Sequence, residues 1–286
     1  MSLFFVDSGC DFSAEQLKKM AVEALNLPYS LNEKKLNIDE EFDLVKFYSK
    51  VRKDVVLTTE APSVEEYINI FAPILDGGDD IIYVVGSSQI FDSSNIMETK
   101  EKLLEKYPDR RFEVIDSKNF SAGQGVLSFL LAMQYHNSAT IDEILEYAEK
   151  ITKEIATYMV VENLEPLVVR GLIDSNLISG TALNIKPIVA IDYDGNMRVV
   201  DKIGGKKRAI SKMVDIIRQT GENVVDYPIM ITNSNASADA KILAEKIKNA
   251  FGDDVKLFEG EMLPSNTAIV GLGAVTLSFH INKKMY

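Results

Sequence analysis

Hydroxyl side chains at the ends of apolar runs are the first residues of this chain that could do chemistry. The run Val55–Thr59 ends in two threonines, and the run Tyr83–Ser88 ends in two serines. In an open parallel sheet, ligands bind at the carboxyl ends of the strands. Hydroxyls at that edge, together with backbone amides at the start of the next helix, could hold a small anionic head group. Helix capping by Ser63 and Ser93 explains such hydroxyls without a ligand, and both interpretations stay open.

Acid–base catalysis would need titratable groups that converge in a cleft. Asp7, Asp92, Asp116 and Lys118 are the groups that lie near the ends of predicted strands. Asp116 and Lys118 also suit the loop that begins the next helix, and we prefer that structural interpretation. A hydrolytic or transfer enzyme that uses cleft carboxylates therefore remains a secondary hypothesis behind a non-catalytic binding protein.

Metal and nucleotide chemistry have little support in the sequence. The single cysteine, Cys10, excludes an internal disulfide and a cysteine-built zinc site. Neither His136 nor His280 belongs to a hydrolase or zinc-protease motif. The segment Gly271–Gly273 lacks the third glycine of the dinucleotide fingerprint, and Gly204–Arg208 lacks the Walker spacing. We predict no metal, no cofactor, and structural turns at both glycine pairs.

The segments that must position these residues alternate between short Val- and Ile-rich runs and longer stretches of helical period. This alternation is typical of an α/β protein with a mainly parallel sheet. The predicted strands are Leu3–Asp7, Val55–Thr59, Asp80–Gly86, Phe112–Ser117, Tyr158–Val161, Ile188–Ile191, Met197–Asp201, Ile229–Thr232, Val255–Phe258 and Ala274–Ile281. The predicted helices are Ser13–Leu25, Ser63–Leu75, Ser93–Tyr107, Ser121–His136, Ile141–Ile155, Ala209–Gln219 and Ser237–Phe251.

A domain boundary is predicted near residue 156. Before it, every predicted strand alternates with a helix. After it, two strands are separated only by Tyr193–Asn196, whose Asp-Gly pair supplies the positive φ angles of a tight hairpin turn. We therefore predict a doubly wound, mainly parallel N-terminal α/β domain over residues 1–156 and a C-terminal α+β domain over residues 157–286.

Composition and charge narrow the classes of partner. The chain has 286 residues, of which 46% are hydrophobic and 26% charged, and its net charge is −12. That charge disfavours binding to nucleic acid, because phosphate backbones are held mainly by clustered Lys and Arg. No apolar run approaches the roughly 20 residues that span a bilayer, and the N-terminus lacks the pattern of a signal peptide. We predict a cytoplasmic protein without an integral membrane segment.

Several groups of residues, spread along essentially the whole chain, form a recognisable set. They are Asp7-Ser8 with Asp11, Thr58-Thr59-Glu60, Asp116-Ser117-Lys118 with Ser121, Gly123 and Gly125, Leu164 and Leu167 with Gly171 and Ile173, Asn184-Ile185-Lys186-Pro187, and Gly271-Leu272-Gly273-Ala274. This set resembles the signature residues of the DegV family of bacterial fatty-acid-binding proteins.

The resemblance implies a two-domain DegV-like fold that encloses a fatty acid between its domains. The acyl tail would lie in an apolar tunnel, and hydroxyls and a histidine would hold the carboxylate. It also implies a lipid carrier, not a catalyst, which presents the acid to a separate fatty-acid kinase. The expected ligand-binding residues are Thr58, Thr59, Ser87, Ser88, Gln89, Phe91, Ser93 and Ile269.

Four positions depart from the family's pattern. Phe91 and Asp92 replace a serine and a glycine of the head-group loop, Ile269 replaces the histidine, and Leu172 replaces an arginine. A second carboxylate about 4 Å from that of the ligand would cost roughly 4 kcal/mol at an effective dielectric constant near 20. Two hypotheses follow: the tunnel persists and holds a fatty acid or another long-chain lipid, or Phe91 plugs the pocket and another small molecule binds. Leu172 predicts weak or absent coupling to a kinase.

Overall fold

The computed structural model describes residues 2–38, 42–52, 54–178 and 184–282. The strands in these ranges are β1 (Ser2–Asp7), β2 (Glu23–Leu25), β3 (Tyr29–Leu31), β4 (Lys34–Leu36), β5 (Leu57–Thr59), β6 (Asp80–Val85), β7 (Phe112–Asp116), β8 (Ile155–Val160), β9 (Ile185–Ile191), β10 (Met197–Gly204), β11 (Ile229–Asn233), β12 (Leu257–Glu261) and β13 (Val275–His280). The helices are α1 (Ala14–Met20), α2 (Leu44–Lys50), α3 (Val64–Asp76), α4 (Ser94–Lys106), α5 (Ala122–His136), α6 (Ile141–Ile151), α7 (Glu165–Val169), α8 (Lys206–Thr220), α9 (Ser237–Phe251) and α10 (Pro264–Val270). The predicted α/β class is confirmed.

The N-terminal sheet consists of four parallel strands in the order β2-β1-β6-β7. Its strand β6 is an unbroken apolar run that is buried on both faces, as is typical of parallel sheets. Ile82 and Val84 face a core that includes α5 and α6. Ile81, Tyr83 and Val85 face a second core that includes α3 and α4. Helices therefore cover both faces, as the doubly wound prediction requires.

The segment between β1 and α3 differs from the prediction. The predicted helix Ser13–Leu25 ends already at Met20, where Ala21 takes a left-handed φ of 46°. The short strands β2, β3 and β4 follow, and β3 pairs antiparallel with both β4 and β5. The assignment of β5 to the parallel sheet was therefore wrong. Strands of three residues, and helices as short as α2, α7 and α10, contain too few residues for a period to be recognised.

The C-terminal sheet is mixed, with six strands in the order β10-β9-β8-β13-β11-β12. Its strands β9 and β10 form the predicted antiparallel hairpin, and Gly195 in the turn has a φ of 96°. Its helices α8 and α9 cover one face. The other face carries Met159, Val189 and Ile191, which pack with residues of α7 and α10. The α+β character of this half is as predicted.

Helix α5 contacts strand β1 of the parallel sheet and strands β8, β11 and β13 of the mixed sheet. A Cβ atom at Gly123 would lie 2.6 Å from Asn119 Oδ1 and closer still to Thr157 Oγ1. Only glycine permits this approach of the helix to the sheet. The mixed sheet begins at Ile155. The division of the chain into residues 1–156 and 157–286 stays a prediction.

Candidate functional site

A cavity of about 390 Å³ lies at the carboxyl ends of β1 and β6. This is the edge at which an open parallel sheet binds ligands, and the volume falls low in the range of roughly 300–1,000 Å³ that is usual for small-molecule sites. The apolar part of its wall consists of Leu27, Ala61, Tyr67, Val85, Ile90, Phe91, Ile96 and Ile269. The polar part consists of Asp7, Thr59, Glu60, Asp92, Ser93, Asn95 and Arg170.

Strand β5 places one of its two threonines at the cavity. Thr59 lines the cavity, and its hydroxyl donates to the carbonyl oxygen of Pro28 at 3.0 Å. The side chain of Thr58 points to the other face of the strand and is exposed, because successive side chains of a strand alternate in direction. Thr58 therefore does not line this cavity, and its expected contact with a ligand stays a prediction.

Three polar residues after β6 hold the turn and do not line the cavity. Ser87 is fully buried and donates to the carbonyl oxygen of Gly195 at 2.8 Å. Ser88 donates to a carboxylate oxygen of Asp116 at 2.6 Å, and Gln89 is exposed. Local hydrogen bonds hold Ser87 and Ser88, and Gln89 is exposed to solvent, so contacts of these three residues with a ligand stay a prediction.

The ring of Phe91 forms part of the cavity wall. It stacks on Phe120 with ring centroids 6.2 Å apart and an interplanar angle of 11°. It also lies against Gly86, where a Cβ atom would come within 2.7 Å of the ring. Because Gly86 has no side chain, the ring lies against the end of β6 and leaves the cavity open. The structure thus gives no support to the hypothesis that Phe91 plugs the pocket.

The rim beside helix α4 carries Asp92 and Ser93. The exposed Asp92 carboxylate accepts a hydrogen bond from the backbone amide of Ser94 at 2.8 Å, which lowers the pKa of Asp92. Ser63 caps α3 through a capping box with Glu66, as predicted. Ser93, in contrast, makes no side-chain hydrogen bond to the start of α4. Capping therefore does not account for Ser93, which lines the cavity.

Helix α10 brings Ile269 to the cavity, where that side chain is 2% exposed. The carboxylate of Asp11 accepts hydrogen bonds from the Leu263 amide at 2.8 Å and from Asn266 Nδ2 at 2.7 Å. Ser121 donates a further hydrogen bond to Asp11. Burial raises the pKa of Asp11 to about 7, against the effect of these hydrogen bonds. Asp11 thereby fixes α10, and with it Ile269, to the N-terminal half of the protein.

Arg170 is a cavity residue that sequence reasoning did not include in the site. It follows α7, and its Nε and Nη2 atoms donate to the carbonyl oxygens of Ala268 at 2.9 Å and Leu57 at 3.2 Å. Among the described residues, no carboxylate forms an ion pair with it. Burial lowers the pKa of Arg170, yet a guanidinium stays protonated in proteins. The cavity therefore contains a half-buried cation that can receive an anion. Leu172, which the sequence comparison by motif places at the position of the family's arginine, is partly buried and packs against the core that includes α7 and α10.

Asp7 is a buried carboxyl group in the cavity wall, only 3% exposed. It accepts hydrogen bonds from Gln124 Nε2 at 2.7 Å, from the Gly9 amide at 2.8 Å and from the Gly86 amide at 3.3 Å. Burial raises the pKa of Asp7 to about 6, and the three hydrogen bonds oppose that rise. The folded protein thus holds the proton of Asp7 more tightly than water-exposed aspartate does.

The four acid–base candidates do not converge. Asp7 and Asp92 line the cavity, whereas Asp116 accepts hydrogen bonds from Ser88 and from the Lys118 amide in a neighbouring loop. This is the loop-fixing role expected for Asp116. No group of three or more acidic, His or Cys residues that could hold a metal occurs in the ranges that the structure covers. None of the helices in those ranges has the length and apolarity needed to cross a bilayer.

Comparison with protein families gives a match over nearly the whole chain, since the model of the DegV family matches residues 4–282. A DegV domain-containing protein of Clostridium perfringens is 26% identical to this chain, with 97% of this chain and 96% of the relative covered. A second DegV domain-containing protein of the same organism is 28% identical, with 96% of each chain covered.

Solved structures share the fold over their full length. A DegV family protein of Ruminococcus gnavus, solved with vaccenic acid, has a TM-score of 0.85 at 24% identity and covers 97% of this chain and 99% of its own. A stearic acid-binding protein of Eubacterium ventriosum has a TM-score of 0.87 at 19% identity and covers 99% of both chains. The fatty acid kinase B3 protein of Streptococcus pneumoniae, loaded with linoleic acid, has a TM-score of 0.83 at 18% identity and covers 98% of this chain and 100% of its own.

Proposed function

The chain belongs to the DegV family, and from that premise we propose that it binds one fatty acid molecule in the cavity at the ends of β1 and β6. The carboxylate lies at the rim, beside Arg170 and Ser93. The acyl tail runs inward along the apolar wall that includes Val85, Ile96 and Ile269. The protein acts as a carrier of the acid and does not transform it.

The observation that carries this proposal is the half-buried guanidinium of Arg170, without an ion-pair partner among the described residues, beside an apolar wall. A buried charge is costly unless an opposite charge compensates it. A carboxylate fits the planar N–H groups of arginine and can accept two parallel hydrogen bonds. Two of the N–H groups already hold the carbonyls of Ala268 and Leu57, so the side chain is fixed before the ligand arrives.

The hydroxyls of the cavity have unequal parts in this proposal. The hydroxyl of Thr59 already donates a hydrogen bond to the carbonyl oxygen of Pro28. A carboxylate can accept a hydrogen bond from Thr59 only if that bond breaks. Ser93 lines the cavity with a hydroxyl that the start of α4 does not use. Ser93 is therefore the better hydroxyl donor to the head group. Ile269 stands where the family's pattern has a histidine that holds the carboxylate, and we propose that Arg170 holds the carboxylate instead.

The ligands of the structural relatives support the same class of molecule. The neighbours from Ruminococcus gnavus, Eubacterium ventriosum and Streptococcus pneumoniae were solved with, or as binders of, vaccenic, stearic and linoleic acid. An open cavity in the present chain favours this class over the hypothesis of a plugged pocket. Weak or absent coupling to a fatty-acid kinase stays a prediction, based on Leu172.

The test compares acids with alcohols. The delipidated protein is titrated by calorimetry with hexadecanoic acid and with hexadecanol, in the wild type, in Arg170→Leu and in Arg208→Leu. Arg208 is an exposed arginine on α8 and gives a matched control. A hydrogen bond to a charged group contributes about 1.5–3 kcal/mol, so Arg170→Leu should weaken binding of the acid roughly 10- to 100-fold. The affinity for the alcohol should change little, which shows that the variant keeps its cavity.

Two outcomes would contradict the proposal. If the wild type binds no fatty acid, the function itself is wrong. If Arg170→Leu weakens the acid and the alcohol equally, or weakens neither, the carboxylate does not lie at Arg170.

A further inference from the structure

We infer that filling of the cavity is coupled to a proton: the carboxylate of Asp7 takes up a proton from solvent when a fatty acid binds, so that the affinity for the acid falls as the pH rises. The inference deepens the proposed function and rests on it, because both concern the same cavity. Asp7 lines that cavity at the end of β1 but makes none of the head-group contacts proposed above. It sets the pH range in which the carrier holds its ligand.

The charged groups that line the cavity are unbalanced. Three carboxyl groups line it, those of Asp7, Glu60 and Asp92. Against them, Arg170 is the one cation among the described lining residues. Glu60 and Asp92 are exposed at the rim, where water and salt screen their charges, and Lys35 lies 3.8 Å from Glu60. A ligand carboxylate that pairs with Arg170 uses this one cation, and Asp7 is the buried carboxylate that is left without a counter-charge.

Filling the cavity removes water from the side of Asp7 that faces it. Within the described ranges, the groups that donate hydrogen bonds to its carboxylate are neutral: Gln124 Nε2 and the amides of Gly9 and Gly86. Burial already raises the pKa of Asp7 to about 6. An acyl chain replaces water by hydrocarbon and the ligand carboxylate adds a like charge, and both effects raise the pKa of a carboxyl group further. Asp7 therefore takes up a proton near neutral pH, where an exposed carboxyl group stays ionised.

Four other titratable groups of the described chain interact with the charge of Asp7: Cys10 and Asp11 beside it, Tyr67 of α3 and Tyr83 of β6. Helix α5 faces it with a neutral amide. Burial raises the pKa of the thiol and of both phenol groups, so these three stay protonated at neutral pH. Asp11, whose pKa burial raises to about 7, is the competitor among the four. It does not line the cavity, and its carboxylate accepts hydrogen bonds from the start of α10 and from Ser121.

The size of the effect follows from the linkage between proton and ligand binding. Each unit by which the ligand raises the pKa of Asp7 lowers the affinity tenfold between acid pH, at which Asp7 is protonated with or without ligand, and alkaline pH, at which it is ionised in both states. At an effective dielectric constant near 20, a like charge about 10 Å away raises a carboxyl pKa by roughly one unit. The affinity for the acid should therefore fall roughly five- to tenfold between about pH 5.5 and about pH 8.

The experiment measures proton uptake by calorimetry. The delipidated wild type is titrated with dodecanoic acid and with dodecanol, below the concentrations at which they aggregate, in phosphate and in Tris at about pH 7. The difference in heat between the two buffers gives the number of protons taken up. The acid should take up roughly 0.4 proton, as expected for a pKa that rises from about 6 to about 7. The alcohol should take up fewer protons, because it adds no charge.

Two variants decide which group takes the proton. Asp7→Asn should abolish the uptake and should bind the acid roughly five- to tenfold more tightly than the wild type does at about pH 8, because no buried charge then opposes the ligand. Asp11→Asn should keep the uptake. If Asp7→Asn does not fold, carbon NMR of wild type labelled at the aspartate carboxyl carbons replaces it, and the Asp7 resonance should titrate at a higher pH in the complex than in the empty protein.

Three outcomes would overturn the inference: binding of the acid without proton uptake, uptake that persists in Asp7→Asn, or uptake that is lost in Asp11→Asn alone. In each of them the acid still binds, so the proposed function stands. A wild type that binds neither the acid nor the alcohol overturns the proposed function itself.

Discussion

Replacing Asp7 by asparagine should change how the stability of this protein depends on pH. Asp7 is buried without a cationic partner among the described residues, and burial raises its pKa from 3.8 to about 6. The folded state therefore holds the proton more tightly than the unfolded state does. Between about pH 4 and about pH 6 the folded chain carries more bound protons, and the free energy of unfolding falls as the pH rises through that window.

The magnitude follows from the shift. One pKa unit corresponds to about 1.4 kcal/mol, so a shift of roughly two units costs the folded state about 3 kcal/mol at neutral pH relative to acid. Asparagine has nearly the same shape and no charge. The free energy of unfolding of Asp7→Asn, relative to the wild type, should therefore rise by up to about 3 kcal/mol between about pH 4 and about pH 7.

The assay is urea unfolding followed by circular dichroism at several pH values across that window. Asp109→Asn is the control: it removes one exposed carboxylate and shows how the loss of a single negative charge alone changes the stability with pH. The absolute stability of Asp7→Asn does not decide the matter, because asparagine accepts fewer hydrogen bonds from Gly9, Gly86 and Gln124. The decisive quantity is how the difference in the free energy of unfolding between Asp7→Asn and the wild type changes with pH. A difference that stays constant from acid to neutral pH would refute the argument.

Two other predictions concern the approach of helix α5 to the mixed sheet and an ion pair within the C-terminal half. Gly123→Ala should lower the free energy of unfolding by roughly 1–3 kcal/mol, because its methyl group would collide with Asn119 and with Thr157. Urea unfolding measures this loss. The control is Gly204→Ala, whose Cβ atom would meet no atom within 4 Å. Glu162→Gln should cost roughly 1–3 kcal/mol at neutral pH, because Glu162 accepts hydrogen bonds from two lysines at 2.6 Å. Burial alone would raise the pKa of Glu162, but those lysines lower it overall, so this deficit should shrink in acid; an equal deficit in acid and at neutral pH would contradict the ion-pair explanation.

The sequence could predict those parts of the fold in which one period runs over many residues. The apolar run of β6 and the helical stretch of α5 are long enough for their type to be recognised. The strands β2, β3 and β4 are not, since each has only three residues, and β3 pairs both with the neighbouring β4 and with the more distant β5. This is why β5 was placed in the wrong sheet.

The site was less predictable than the fold, because its residues come from separate elements. The choice between Thr58 and Thr59 depends on which face of β5 meets the cavity, and that face follows from pairing with β3. The hydroxyl of Ser87 is already used in a hydrogen bond to Gly195, which lies in a hairpin more than a hundred positions away. The position of Arg170 depends on the carbonyls of Ala268 and Leu57. None of these contacts leaves a pattern along the chain.

The replaced loop Phe91-Asp92 has a physical consequence that differs from simple loss of a ligand site. A serine at position 91 could donate a hydrogen bond to a carboxylate, whereas the phenylalanine ring lies against Gly86 and Phe120 and lines the wall with carbon. The carboxylate of Asp92 is exposed and turned to the Ser94 amide, so water screens much of its repulsion of a second anion. Under the proposed function, we therefore expect the head group beside Arg170 and not at this loop, because Arg170 and the hydroxyl of Ser93 border the same cavity. Phe91→Ser should restore a donor near Gly86 without removing the one at Arg170, so calorimetric titration with hexadecanoic acid should show a higher affinity than in the wild type; an unchanged or lower affinity would contradict this account.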